Sequence, residues 1–425
     1  MSAISIEKSE NLEGRIIVQG AKNEVLPVLC ATVVNGNISI IHNCPRISDV
    51  YNTIRILNNI GCKTEWIDNN SLMVNSKNLN DYRITCNFAR MMRSSIIFTG
   101  ALVSRCKKAV CSYPGGCVIG ERPIDIHIDA FRQMGIKVIS SNKGIECIRY
   151  QEKDCRIKLR FPSVGATENI ILASIIGNQT VYIYNYAKEP EIISLCSFLI
   201  KMGGIIDIRK EYIKITGVNK SCLKNVEYCI ESDRIVAGTY MFAVAGCKGD
   251  VVLEGADINK LRASADILKS AGVLINSDTN RGIAFDKKYI RIKMKERFSV
   301  KGKVITGPYP YFSTDMQSPL MALMAGNNTE FICIENMFEN RFKMSDELIK
   351  MGADIIVKEN MAIIKGKQLH GCVVNATDLR SGAGLVIAGL GAEGRTVIQH
   401  ADYIYRGYED ILRDINNIGG NIHII

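Results

Sequence analysis

Long hydrophobic runs are missing from this chain. No stretch approaches the roughly 20 consecutive apolar residues of a membrane-spanning helix, so neither a span nor a membrane partner is expected. The opening Met1-Ser2-Ala3-Ile4-Ser5-Ile6-Glu7-Lys8 lacks the charged-then-apolar order of a secretory signal, and cytoplasmic residence is the expectation. Paired cysteines are missing too. The 15 cysteines are odd in number and scattered, with no C-x-x-C, which points to reduced thiols rather than a disulfide framework. The 5 histidines form no H-E-x-x-H, so no metal site is expected. Low-complexity linkers are absent as well.

What is present reads as globular. With 425 residues, 47% of them hydrophobic and 23% charged, the chain can bury large cores and predicts two or three domains. The net charge of +10 has several readings. A nucleic-acid partner would call for clustered Lys and Arg with interleaved aromatics. Here the basic residues are spread out, several arginines standing singly in turn-like contexts, so no nucleic acid is expected. Anionic small substrates or a plain solvated surface remain as explanations.

The strongest signal is a repeat. Gly61, Gly135, Gly203, Gly272, Gly352 and Gly419 recur roughly 70 residues apart, in frames such as Asn59-Ile60-Gly61 and Lys350-Met351-Gly352. Glycine just past a helix end supplies the left-handed conformation at little cost, so each is a helix stop. The period is too long for a solenoid. Each unit predicts an apolar helix, a strand, an amphipathic helix ending on that glycine, then short strands. In the first unit these fall at Gly20–Asn35, Asn37–His42, Ile47–Ile60, Cys62–Ile67 and Leu72–Val74. Matching strands are expected at Val181–Tyr184, Val251–Leu253, Glu330–Cys333 and Thr396–Gln399. Twelve helices and many short strands in β-α-β order give an α/β class. The best halfway break lies around Cys229 to Asp233, giving two domains of three repeats each.

Polar clusters open the first helix of each unit: Lys22-Asn23, Arg93-Ser94-Ser95, Gly165-Ala166-Thr167-Glu168, Asp233-Arg234, Asp315-Met316-Gln317 and Asp378-Leu379-Arg380-Ser381. Helix N-termini carry free N–H groups and partial positive charge, and bind anions. Any one cluster reads as ordinary capping. Six in register, four with a basic residue, predict a site for a strongly anionic ligand set.

The most unusual segment runs from Tyr113 to Asp125 and is rich in glycine and proline, so it reads as a loop. Cys117 at its tip, five residues from Arg122, is either a low-pKa thiol able to act as nucleophile or proton donor, or a structural cysteine. This loop resembles the catalytic loop of the enolpyruvyl transferases that act on UDP-N-acetylglucosamine. The likeness extends over nearly the whole chain: Gly20-Ala21-Lys22-Asn23 with Leu26-Pro27, Met92-Arg93-Ser94-Ser95, Phe161-Pro162-Ser163-Val164-Gly165-Ala166-Thr167, Glu189-Pro190-Glu191-Ile192, Thr314-Asp315-Met316-Gln317, Phe338-Glu339-Asn340-Arg341-Phe342, Thr377-Asp378-Leu379-Arg380 and Arg406-Gly407-Tyr408-Glu409 fall in the family's order.

The resemblance implies a two-domain inside-out α/β barrel of six repeats, one domain spanning 22–231 and a discontinuous one made of 1–21 and 232–425, with the site in the cleft between them. A strand near Gly14–Gln19 would pair within the second. It implies transfer of the enolpyruvyl group of phosphoenolpyruvate to the 3'-hydroxyl of UDP-N-acetylglucosamine, with release of phosphate and without metal or organic cofactor, as the first committed step of peptidoglycan synthesis. It implies Cys117 as proton donor, with the alternative of a covalent adduct; Asp315 at the attacking hydroxyl; and Lys22, Arg122 and Arg406 around phosphoenolpyruvate. Asn23, Arg93, Arg122, Pro123, Ile124, Asp125, Ile126, Ser163, Val164, Gly165, Asp315 and Met337 match the nucleotide-sugar contacts. Arg341, Asp378 and Arg380 are further candidates, with an ordinary ion-pair role as the alternative. Glu24, Tyr311, Ser313 and Tyr405 depart from the family pattern, Glu24 adding negative charge beside an anion site. The shikimate-pathway enolpyruvyl transferase is the nearest rival; the Cys117 loop and Phe161–Gly165 argue against it.

Overall fold

Six helices of this chain are apolar all round, and a helix without a polar stripe has to be buried. The computed structural model, which describes residues 2–115, 120, 123–278 and 288–425, places these helices at Lys22–Asn35, Phe98–Cys106, Val164–Ser174, Arg234–Cys247, Gln317–Ala325 and Leu379–Gly391. Nearly every residue of each is buried after the first turn. The described residues form two compact units, 20–115 with 123–231, and 2–19 with 120, 232–278 and 288–425, and each unit contains three of these helices.

Within each unit the three interior helices pack together, and three four-stranded sheets cover them. The sheet strands alternate inward and outward residues, as in Ile38–His42, where Ser39 and Ile41 are fully buried. All the sheets follow one plan. In the second, Arg83–Ile84 runs parallel to Lys108–Cys111 after an interior helix, which is a βαβ step. Gly144–Arg149 and then Ile136–Ser141 continue it antiparallel. In the first sheet the parallel strand is Val226–Cys229, so the end of this unit returns to pair with its beginning at Ile38–His42.

The other unit takes two strands from the start of the chain. Leu12–Ile17 pairs in parallel with Gly249–Glu254, from Leu12 opposite Gly249 to Ile17 opposite Glu254. Ile4–Glu7 lies between Arg395–Gln399 and Asn421–Ile424, antiparallel to both. Ile4 and Ile6 are fully buried, so this short strand is core rather than a loose end.

Helix boundaries follow local chemistry. The expected helix over 20–35 starts at Lys22, because Ala21 before it is extended, with φ −72° and ψ 119°; Gly20 approaches the Asn43 carbonyl so closely that a Cβ there would collide with it. The helix expected over 47–60 is Ser48–Asn59. The six stop glycines all have positive φ, from 76° at Gly135 to 116° at Gly203, the conformation that side-chain-bearing residues avoid. The amphipathic helices they end bury one face only: in Arg262–Ser270 the buried residues are Ser264, Ala265 and Leu268. The four matching strands are present with ends extended by one or two residues, as Thr180–Tyr184, Gly249–Glu254, Asn328–Ile334 and Arg395–Gln399, whereas in the first unit the strands expected over 37–42 and 62–67 are shorter, Ile38–His42 and Lys63–Trp66. Among the described residues no helix is long and apolar enough to cross a membrane.

Candidate active site

Each of the six polar clusters opens an interior helix, directly or through a 3-10 turn. Part of their polarity is spent on capping. The Asp233 carboxylate accepts from the backbone N–H of Ile235 and Val236. Ser163 accepts from Ala166. Asp378 accepts from Arg380 and Ser381, and the Ser381 hydroxyl returns to the Asp378 N–H in a capping box.

In the unit formed by 20–231, several candidates each have an identified partner. Lys22 Nζ lies 2.7 Å from the Asp49 carboxylate, with 12% and 3% side-chain exposure. Asn23 and Glu24 share that first helical turn, and Glu24 is buried and accepts from the Glu231 backbone N–H at 3.3 Å. Arg93 donates to the Pro123 carbonyl at 3.1 Å. Ile124 is buried just before the helix that begins with Asp125 and Ile126. Burial pulls the Asp125 carboxyl up, but the Arg160 guanidinium bonded to it, with the Ile126 N–H, outweighs this and leaves it below its ordinary value. Ser163, Val164 and Gly165 form the start of the third interior helix. Cys117 and Arg122 lie outside the described residues.

His127 belongs to this group although sequence reasoning passed over it. Its ring packs on Gly165 so closely that a Cβ there would sit 3.2 Å from Cε1. Asn169 determines its tautomer. Asn169 Oδ1 accepts from the Gly100 N–H at 2.8 Å, and Nδ2 donates to the Ile96 carbonyl at 3.0 Å, so the backbone fixes the amide orientation. The second amide hydrogen then points at His127 Nδ1, 2.8 Å away, leaving the proton of the neutral imidazole on Nε2. Burial, aided by Arg93 and opposed by Asp125, pushes this histidine down to about 3. Glu168, on the same helix as Asn169, has its carboxyl pushed well above its ordinary value, by burial first and then by Glu191 and Glu189.

In the unit formed by 2–19 and 232–425, Asp315, Arg341, Asp378 and Arg380 share one network. Asp315 Oδ1 accepts from Arg341 Nη2 at 2.6 Å and Oδ2 from Arg380 Nη2 at 3.0 Å. Both arginine side chains are 4% exposed, against 23% for Asp315. Arg341 Nη1 also lies 3.5 Å from Asp378 Oδ1, and its Nε donates to Thr314 at 3.2 Å. Burial works against the Arg380 charge, but Asp315, backed by Tyr408 and Asp233, prevails and raises the guanidinium well above its ordinary value. The Thr239 hydroxyl donates to the Ile235 carbonyl, so Tyr408 donates to Thr239 across 2.7 Å. Arg406 ends a 3-10 turn, and Gln19 clasps the residues after it by donating to the Gly407 carbonyl and accepting from the Glu409 N–H.

The departures are placed as well. Ser313 caps the Thr314–Met316 turn by accepting from the Asp315 N–H. Tyr311 is exposed, and Tyr405 is half-buried. Thr314 and Glu335, which hold Arg341 and the Met337 backbone, are site-building residues that sequence reasoning did not single out. Thr314 stood within a quoted motif, but nothing in its spacing marks its hydroxyl. This assembly, with fixed guanidinium groups around one partly exposed carboxylate, can orient and deprotonate a hydroxyl while neutralising anions nearby.

Comparison with known proteins places this geometry. Residues 6–415 match the family described as EPSP synthase (3-phosphoshikimate 1-carboxyvinyltransferase). The solved enolpyruvyl transferase NikO from Streptomyces tendae superimposes with a TM-score of 0.87 at 20% identity, over 100% of this chain and 99% of that one. An EPSP synthase from Acinetobacter baumannii gives 0.73 at 18% identity, over 100% of both. The fold is therefore that of the enolpyruvyl transferases. A UDP-N-acetylglucosamine 1-carboxyvinyltransferase 2 from Caldanaerobacter subterraneus subsp. tengcongensis is 41% identical over 99% of both chains. A UDP-N-acetylglucosamine 1-carboxyvinyltransferase from Wolbachia sp. subsp. Brugia malayi is 38% identical over 97% of both. The chain belongs to the UDP-N-acetylglucosamine 1-carboxyvinyltransferase family.

Proposed function

We propose that this chain transfers the enolpyruvyl group of phosphoenolpyruvate to the 3'-hydroxyl of UDP-N-acetylglucosamine and releases phosphate, the first step of peptidoglycan synthesis. The observation that carries this reading is full-length identity of 41% and 38% to relatives with that name, against 18% to the EPSP synthase structure. In the addition step the acceptor oxygen bonds to C2 of phosphoenolpyruvate while C3 gains a proton. In the elimination C3 loses a proton, the double bond re-forms, and the bond from C2 to the phosphate oxygen breaks. We assign the proton on C3 to Cys117 and the hydroxyl proton to Asp315. A carboxylate offers about four acceptor positions. The two arginines each donate to one oxygen, which orients Asp315, and its side chain stays partly exposed.

Lys22, Arg122 and Arg406 are assigned to the carboxylate and phosphate of phosphoenolpyruvate, where fixed cations also stabilise charge developing in the tetrahedral intermediate. Asn23, Arg93, Pro123, Ile124, Asp125, Ile126, Ser163, Val164, Gly165 and Met337 are assigned to the nucleotide sugar. Arg341, Asp378 and Arg380 act through Asp315. Residues 22–231 and the pair 1–21 with 232–425 are taken as the domains, and the cytoplasm as the location. The test is phosphate release from phosphoenolpyruvate with UDP-N-acetylglucosamine, beside a shikimate-3-phosphate control and Cys117→Ala. Release with the nucleotide sugar alone, lost in the variant, is expected; release with shikimate-3-phosphate instead would overturn the assignment of acceptor.

A further inference from the structure

We propose that Glu335 is a positioning residue for the acceptor half of this reaction: its carboxylate sets the direction of the Thr314 hydroxyl, through it seats Arg341 against Asp315, and also fixes the backbone at Met337. The proposal rests on the enolpyruvyl-transfer reading above.

Glu335 directly follows the strand Asn328–Ile334 and is 3% exposed. Its Oε1 accepts from the Thr306 hydroxyl at 2.8 Å, from the Met337 N–H at 2.7 Å and from the Phe338 N–H at 3.3 Å. Its Oε2 accepts from the Thr314 hydroxyl at 2.9 Å. An ionised carboxylate accepts hydrogen bonds and donates none, so the single hydroxyl proton of Thr314 is committed to Glu335. The lone pairs of Thr314 are then turned to Arg341, whose Nε–H they receive at 3.2 Å.

The rest follows from the shape of a guanidinium. It is planar, with its N–H groups in a fixed fork. Once Nε is anchored on Thr314, Nη1 is directed to Asp378 at 3.5 Å and Nη2 to Asp315 at 2.6 Å. The Phe338 ring, 5.4 Å from the guanidinium carbon, borders the same seat, and its own N–H is one of the donors on Glu335. One buried carboxylate therefore sets both the register of Arg341 on Asp315 and the loop that carries Met337. Thr306, directly after the strand Ser299–Ile305, ties the arrangement to the sheet: its N–H donates to the Ile334 carbonyl at 2.9 Å, and its hydroxyl accepts from the Asn336 N–H at 3.0 Å.

Glu335→Gln keeps the shape and reverses one hydrogen bond. With the amide oxygen facing the three donors, the NH2 faces Thr314, which already accepts from Arg341. With the amide turned round, the NH2 faces three donors. In the first orientation the Thr314 proton loses its acceptor and the hydroxyl must turn, and in the second the three donors lose theirs, so in both the seat of Arg341, and of the Asp315 it orients, is disturbed.

The experiment is steady-state phosphate release for the wild type, Glu335→Gln, Thr314→Val, Thr314→Ser and the double variant Glu335→Gln/Thr314→Val, varying each substrate, with thermal unfolding of each. Glu335→Gln and Thr314→Val are each expected to lower kcat about 10- to 100-fold, the cost of misplacing a reacting group by a fraction of an ångström to an ångström. The KM for UDP-N-acetylglucosamine should rise more than that for phosphoenolpyruvate. Thr314→Ser, which keeps the hydroxyl, should remain close to wild type. The double variant should be no slower than the slower single, because Glu335 acts through Thr314. Wild-type kcat and KM in both singles, multiplying effects in the double, or an equal rise in both KM values would overturn the proposal. If Glu335→Gln does not fold, the Thr314 pair decides alone: a valine variant that behaves like the serine variant sinks it. A wild type that releases no phosphate faults the assigned reaction, whereas an active wild type with unaffected variants faults only Glu335.

Discussion

The two units hold their candidate residues by different means. In the 20–231 unit they are fixed locally: Lys22 by Asp49, Arg93 by the Pro123 carbonyl, Asp125 by Arg160, Ser163 by its own helix N-terminus, His127 by Asn169. In the other unit Asp315, Arg341, Arg380, Asp378, Thr314 and Glu335 form one connected set in which each group has two or more named partners. Local fixing makes a residue's behaviour a property of its immediate neighbours. A shared network makes it a property of the set, so single substitutions there propagate and do not add.

The sharpest way to break this contrast is Asp315→Ala. It removes the carboxylate on which two guanidinium groups of 4% exposure converge. Loss of a general base costs about 10²- to 10⁴-fold in rate, and uncompensated buried charge costs about 3–5 kcal/mol of stability. Phosphate release and urea unfolding should both show the loss. An Asp315→Ala protein as stable as the wild type would mean that the network is not a unit.

The local side of the comparison is tested through His127. Its pKa in the folded protein, about 3, lies below the ordinary value of 6.5. The neutral form is thus the one the fold favours, and the stability it contributes is complete above about pH 6.5 and is lost as the pH falls toward 3. The loss should grow by up to about 1.4 kcal/mol per pH unit in that window. Unfolding midpoints between pH 7 and 4.5 should fall more steeply for the wild type than for His127→Gln. Equal slopes would show that the ring is not held neutral by its surroundings.

The smallest effect is expected at Lys301, whose Nζ lies 3.0 Å from Glu330 with side-chain exposures of 76% and 64%. Solvent screens such a pair, and Lys301→Ala should change stability by less than about 1 kcal/mol with phosphate release unaltered. A large shift would indicate that connection through the sheet, rather than burial, sets the importance of an ion pair in this unit.

Much of this could be read along the chain. The recurring glycines marked the helix ends because the left-handed turn after a helix is a local demand that glycine meets best, as at Gly203 with φ of 116°. The first helix of each unit was legible as apolar, and the ordered motifs named the family. The capping residues at Asp233 and Asp378 were also legible, since a cap and its partners lie within four residues; Ser163, the cap of the third interior helix, stands two residues before the cluster read there. What lay beyond reach was the pairing of distant groups. Nothing near Ile4–Glu7 announces that it will be flanked by Arg395–Gln399 and Asn421–Ile424. Nothing near Asp315 says that its two oxygens will be claimed by Arg341 and Arg380, or that Arg341 will be seated by a threonine that Glu335 orients. Local backbone preferences are settled by a residue and its neighbours in sequence. Ion pairs, tautomers and buried carboxylates are settled by desolvation and by partners that only the folded chain brings within hydrogen-bond distance.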